Sequence, residues 1–110
     1  MNMNLMNGIT AFVSELVRAA NEVERLNAFT ISRLIERAIV TIADLRESAG
    51  MPGEGTERDA LRGLRHVADN AEQLSHADMV DALRNAADMI RTLYIVVDSG
   101  VYISLKPVVD

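Results

Sequence analysis

Apolar residues recur along most of this chain in alternating steps of four and three, and this spacing constrains the fold more than any other feature. Such a period places apolar side chains along one face of an α-helix. The first run consists of Leu5, Ile9, Phe12, Leu16, Ala19, Val23 and Leu26. The second run consists of Ile31, Ile35, Ala38, Ile42, Leu45 and Ala49. Two amphipathic helices are therefore predicted in the first half of the chain.

The second run starts one residue late relative to the first, so the helical phase changes between them. We expect a tight turn there, with Thr30 as the N-cap of the second helix. A single helix from about residue 5 to residue 49, with a stutter near Asn27, is the alternative, but it would be far longer than usual.

Glycine and proline at residues 50–55 divide the chain, since Gly50-Met51-Pro52-Gly53-Glu54-Gly55 cannot continue a helix. Gly50 is expected to end the second helix in the left-handed conformation. Thr56 and Ser75 are then expected to cap two further helices. Their apolar stripes consist of Ala60, Leu61, Leu64, Val67, Ala68, Ala71 and Leu74, and of Met79, Val80, Leu83, Ala86, Ala87, Ile90, Leu93 and Val97. The connection at Ser75 is so short that these two helices should form an antiparallel hairpin.

These patterns predict an all-α fold, an antiparallel helical bundle of three to four helices with a short extended C-terminal segment. A chain of 110 residues has the size of one domain. We expect a single helical domain over residues 1–110. Its helices are expected at about residues 5–27, 30–49, 57–74 and 76–97. No internal repeat is evident in the sequence, although each half could be a helical hairpin.

The C-terminal stretch is rich in β-branched and aromatic residues. The fourth helix should end near Val97 or Asp98; a β-hairpin of residues 93–97 and 101–105 is the alternative. Either way, residues 101–109 are expected to be an extended apolar tail, because Pro107 excludes a helix. This tail is a candidate partner-binding segment through Val101, Tyr102, Ile103 and Leu105. It could cover its own bundle, pair with a second copy or add to a partner's sheet.

Arg58, Arg62 and Arg65 recur in steps of four and three and should line one face of the third helix. They form a candidate docking patch for a phosphate or an acidic partner. The competing interpretation is a solvated face on which Arg65 pairs with Asp69.

The composition of the chain argues against several classes of function. The chain has no cysteine and two histidines, and no catalytic, metal-binding or phosphate-loop motif is present. The formal charge of −5, spread evenly, argues against nucleic acid and against a helix lying on a membrane surface. We therefore expect no enzymatic activity, no cofactor and no bound metal. The N-terminus lacks the basic region of a secretory signal, so a cytoplasmic location is expected.

By elimination, the leading hypothesis is a small non-enzymatic protein-interaction module: a regulator or inhibitor, of a kind found in bacteria and phages, that binds a partner protein. A homodimer built on the first two helices is expected, because Val13, Val17 and Ala20 widen the apolar face of the first helix. One alternative is a nucleotide or metabolite sensor with a pocket between helices. The other is a purely structural homo-oligomer.

Overall fold

The computed structural model describes residues 3–50 and 56–99, and the side chains of residues 8–50 and 59–99. This part of the chain contains four α-helices: α1 (Met3–Asn21), α2 (Ala28–Ser48), α3 (Thr56–Asp69) and α4 (His76–Ser99). Short 3₁₀ turns, Val23–Arg25 and Ala71–Gln73, connect α1 to α2 and α3 to α4. No strand occurs in the described ranges. The protein is an all-α helical bundle, as the apolar spacing predicts.

The chain turns between α1 and α2, and the single long helix is excluded because α1 ends at Asn21. The N-cap of α2 is Asn27, whose Oδ1 accepts a hydrogen bond from the backbone N–H of Thr30 at 2.8 Å. The prediction that Thr30 is the cap is wrong. A capping side chain must precede the first helical residue, and Thr30 already lies in the first turn of α2.

Two other helix ends are placed as the sequence predicts. Gly50 follows α2 with a positive φ of 72°, and Ser75 Oγ accepts a hydrogen bond from the backbone N–H of Asp78 at 3.1 Å. At the other end, α4 continues to Ser99, so the alternative hairpin with residues 93–97 as a strand is excluded. The predicted tail, residues 101–109, lies outside the described residues.

The connection between α1 and α2 has the same conformation as the connection between α3 and α4, which lies 48 positions later in the sequence. Glu22 has φ and ψ of −122° and 26°, and Asn70 has −124° and 24°. The carbonyl of each accepts a hydrogen bond from the N–H three residues on, at 2.8 and 2.9 Å. The two halves therefore share one helix–turn–helix arrangement, a repeat that the apolar spacing alone does not predict.

The core follows the same register. Buried positions of the first half correspond to buried positions of the second: Leu16 to Leu64, Ala20 to Ala68, Val23 to Ala71, Ile31 to Met79, Ile35 to Leu83, Ala38 to Ala86, Ile42 to Ile90 and Leu45 to Leu93. The residue is identical at five of these eight pairs, and apolar character is retained at all of them. The repeat is therefore one of burial pattern and turn geometry.

The two units pack onto each other more than onto themselves. α1 packs against α4, α3 packs against α2, and α2 and α4 pack together in the centre. By contrast, α3 shares few contacts with α4, although the two helices are joined by a short turn. The two helices are joined by the short connection that the sequence predicts, but they do not pack closely, because the apolar face of each is turned toward the other unit. The wide apolar face of α1 is likewise covered by α4 of the same chain.

Candidate functional site

An open groove lies between α3 and α4, where the two helices of the second unit diverge. Its volume is about 580 Å³. The groove is lined by Ala60, Gly63, Leu64, His66, Val67 and Leu74 from α3 and the following turn, and by Asp78, Asp81, Ala82, Asn85, Asp88 and Met89 from α4. We call this surface the α3–α4 groove.

The floor of the α3–α4 groove is apolar and its walls are made of small residues. Leu64 and Ala82 are buried at its base, and Val67 and Met89 are half-buried. A Cβ atom added at Gly63 would have no neighbour within 4 Å. The groove therefore has open space at Gly63.

Three exposed carboxylates of α4 form the rim: Asp78, Asp81 and Asp88. Asp78 lies in the first turn of α4, where the helix dipole favours negative charge. Asp88 forms an ion pair with Arg91 at 2.7 Å. Asp81 forms no ion pair with any described side chain, and its charge is directed at solvent. Asp78 forms no such ion pair either, so the rim is acidic, with two carboxylates not paired to a described side chain.

In the first unit the corresponding cleft, between α1 and α2, is filled. The ring of Phe12 is buried, with 6% of its surface exposed, and the Arg37 guanidinium carbon lies 4.3 Å from the ring centroid. Arg37 Nη1 lies 3.4 Å from Glu15 Oε2, so the guanidinium bridges the ring and a carboxylate. Leu34 is buried beside them. We call Phe12, Glu15 and Arg37 the α1–α2 plug.

The second unit has a smaller residue at every position of this plug, and also at the position of Leu34. Phe12 corresponds to Ala60, Glu15 to Gly63, Leu34 to Ala82 and Arg37 to Asn85, each 48 positions on. All four smaller residues line the α3–α4 groove. The groove is therefore the site of the plug, emptied by four differences between the two units.

The arginine patch predicted from the sequence lies apart from this groove, since neither Arg62 nor Arg65 lines it. Arg62 is exposed and forms an ion pair with Asp59 at 3.7 Å. Arg65 is exposed, and the expected Arg65–Asp69 ion pair is absent between these two described side chains. The side chain of Arg58 lies outside the described residues. Exposure of Arg62 and Arg65 is expected under both interpretations, so the docking patch stays a prediction.

The other predicted partner-binding residues, Val101, Tyr102, Ile103 and Leu105, also lie outside the described residues. None of the residues that line the α3–α4 groove was predicted from the sequence as a site residue. Its only signal in the sequence is the loss of side-chain volume from the first unit to the second. That loss becomes visible only when the halves are aligned with an offset of 48, which the 3₁₀ turns establish.

Within the described residues, no group of three or more histidines or carboxylates could hold a metal ion. His66 is exposed, and its Nδ1 lies 3.3 Å from Asn70 Nδ2. No helix in the same part of the chain is long and apolar enough to cross a membrane.

Comparison with known proteins gave no relative: no family model, no curated protein and no solved structure matches this chain. The function of this chain is therefore inferred from the α3–α4 groove and from its difference from the filled α1–α2 cleft.

Proposed function

We propose that this chain is a non-enzymatic protein-interaction module and that the α3–α4 groove binds a segment of a partner protein. One observation carries the proposal: the same cleft is filled by side chains in one unit and open in the other. Apolar surface left in an open groove with a polar rim is typical of protein-binding sites. A chain of this size is suited to a regulator or inhibitor that acts by binding a segment of its partner.

The chemistry of the groove supports binding over catalysis. Its lining contains no serine, threonine, tyrosine, lysine or cysteine, so it offers no nucleophile beside a base. His66 is the one histidine among the described lining residues, and its neighbour is the side-chain amide of Asn70. The three carboxylates are exposed on the rim and do not point a buried acid or base into the groove.

The groove volume favours one alternative, a small-ligand sensor. About 580 Å³ lies within the range of small-molecule sites, roughly 300–1,000 Å³. The rim would select a cation, and it would repel a nucleotide because both carry negative charge. A screen by thermal shift against cationic metabolites and nucleotides separates this alternative from a protein partner.

The homodimer was expected because the apolar face of α1 is wide. Since α4 of the same chain covers this face, that reason is weaker. Of the residues that widen this face, Val17 retains 37% exposure. A homodimer stays a prediction, and light scattering at micromolar concentration tests it. A dimer that persists when the groove is filled would lie on another surface.

The proposal is tested by affinity capture from the cells that produce the protein, with three baits. The first is the unchanged chain. The second carries Ala60→Phe, which fills the groove as Phe12 fills the first cleft. The third carries Val40→Phe, which adds the same ring to an exposed position of α2.

A protein captured by the first and third baits and lost with Ala60→Phe supports the proposal. Hydrogen exchange on the purified complex should then show protection on α3 and α4. If all three baits capture the same proteins, the groove is not the interaction surface and the proposal fails.

A further inference from the structure

We infer that the α3–α4 groove takes a basic helical segment of the partner, with one aromatic side chain entering the groove beside an arginine that meets Asp81. This inference rests on the proposed function and specifies its partner. It is drawn from the α1–α2 plug, which displays inside the same chain what this kind of cleft accommodates.

The apolar part of the ligand follows from Phe12. Its ring occupies the first cleft between α1 and α2, at the position that Ala60 leaves empty in the second. Leu64 and Ala82 provide the buried apolar floor that Leu16 and Leu34 provide in the first unit. An aromatic side chain from outside therefore finds a buried apolar floor in the groove, as the ring of Phe12 does in the first cleft.

The charged part follows from the difference between α2 and α4. In the first unit α2 supplies two cations, Arg33 and Arg37, and the second of these covers the ring. At the same two positions α4 carries Asp81 and Asn85. The groove thus has an asparagine in place of the plug's cation and a carboxylate four residues earlier, so a cation supplied by the ligand would be complementary to the rim.

One helix can present both groups. Phe29 and Arg33, four residues apart on α2, place a guanidinium carbon 5.6 Å from a ring centroid. A partner helix with phenylalanine and arginine at this spacing carries the same stacked pair on one face. Helix-in-groove recognition uses such anchors, and arginine and aromatic residues dominate the binding energy of many interfaces.

The inference is tested by titrating the full-length chain with synthetic alanine-based helical peptides. The first peptide carries phenylalanine and arginine four residues apart and a net positive charge. In the second, alanine replaces phenylalanine; in the third, glutamate replaces arginine. Affinity is measured by fluorescence anisotropy and the contact surface by NMR chemical shifts.

We expect the first peptide to bind and each of the others to bind about tenfold more weakly or worse. Shifts should cluster at Gly63, Asp81 and Asn85, and affinity should fall with added salt. Equal binding of all three peptides, or shifts spread over α1 and α2, would overturn the inference.

Variants of the chain separate the two parts of the ligand. Ala60→Phe should abolish binding by filling the groove, and Asp81→Lys should weaken it by about tenfold or more while leaving the core untouched. Asp44→Lys makes the same charge change at an exposed position of α2 and serves as the matched control. Circular dichroism establishes that each variant is folded. Binding that survives both groove variants contradicts the inference.

Other occupants are outcomes of the same experiment. A dimer that Ala60→Phe dissociates would identify a second copy, donating Phe29 and Arg33, as the occupant. A gain in peptide affinity on deletion of residues 100–110 would identify the chain's own tail. Either result overturns the inference. If capture from cells depends on the groove but the basic peptide does not bind, the proposed function stands and this partner chemistry is wrong.

Discussion

Two phenylalanines stack against arginines in this protein, and they differ in burial. Phe12 is 6% exposed beneath Arg37, whereas Phe29 is 68% exposed beside Arg33. The first ring fills a cleft between two helices, and the second lies on the outside of α2. Their contributions to stability should therefore differ, although each ring stacks against an arginine.

Phe12→Ala should lower the free energy of unfolding by about 3–5 kcal/mol, since it removes a buried ring and leaves a cavity under Arg37. The control Phe29→Ala should change it by less than about 0.5 kcal/mol, because the exposed ring buries little surface. Urea unfolding followed by circular dichroism measures both. Equal effects would mean that Phe12 does not plug the first cleft.

Glycine has opposite roles at two positions. Gly63 lies in α3 with open space around its Cβ position, so Gly63→Ala should stabilise the protein by about 0.5–1 kcal/mol through helix propensity. Gly50 has a φ of 72°, which side chains disfavour, so Gly50→Ala should cost about 1 kcal/mol. Thermal unfolding of the two variants should give melting temperatures on opposite sides of the unchanged chain. Destabilisation by Gly63→Ala would indicate that the groove is narrower than described.

At the scale of helices, the apolar spacing predicts which face is buried. Every member of the second run, from Ile31 to Ala49, is buried. The apolar spacing identifies the buried face of a helix, but it does not identify the helix that packs on this face. The packing of α1 on α4 and of α3 on α2 could therefore not be predicted from the sequence. The groove was missed for the same reason. Ala60 is simply another small apolar residue until its counterpart Phe12 is known.

The two N-caps provide a test of the repeat at this scale. Asn27 and Ser75 occupy equivalent positions and each accepts a hydrogen bond from the N–H three residues on. Asn27→Ala and Ser75→Ala should each lower the free energy of unfolding by about 1 kcal/mol.

The effects of the two substitutions should add in the double variant, because the caps share no partner. Chemical unfolding of the two single variants and the double variant checks this. A loss confined to one site would show that the two turns are equivalent in geometry but not in energy.

In the whole molecule, each unit finds its packing partners in the other. α1 packs on α4 and α3 packs on α2, while the helices of the second unit share few contacts. Most core side chains of an isolated unit would therefore lose their neighbours. The two units pack in equivalent ways, so a second copy of one unit has a place on the first. It fits this place well only where its side chains match the replaced ones in volume.

Separate fragments of residues 1–50 and 56–110 should therefore fold on mixing and not alone. We expect each fragment by itself to have low helicity or to self-associate, with α1 of one copy packing on α2 of another. The equimolar mixture should form a complex of one copy of each, with the helicity of the intact chain. Circular dichroism and light scattering distinguish these states.

The fragment of residues 1–50 should self-associate more strongly than the fragment of residues 56–110. The reason is that its large Phe12 and Leu34 fill the cleft of the first unit, whereas the groove of the second unit is open. A fragment that is helical and monomeric at micromolar concentration would contradict this interlocked description, because its core would then lie within one unit.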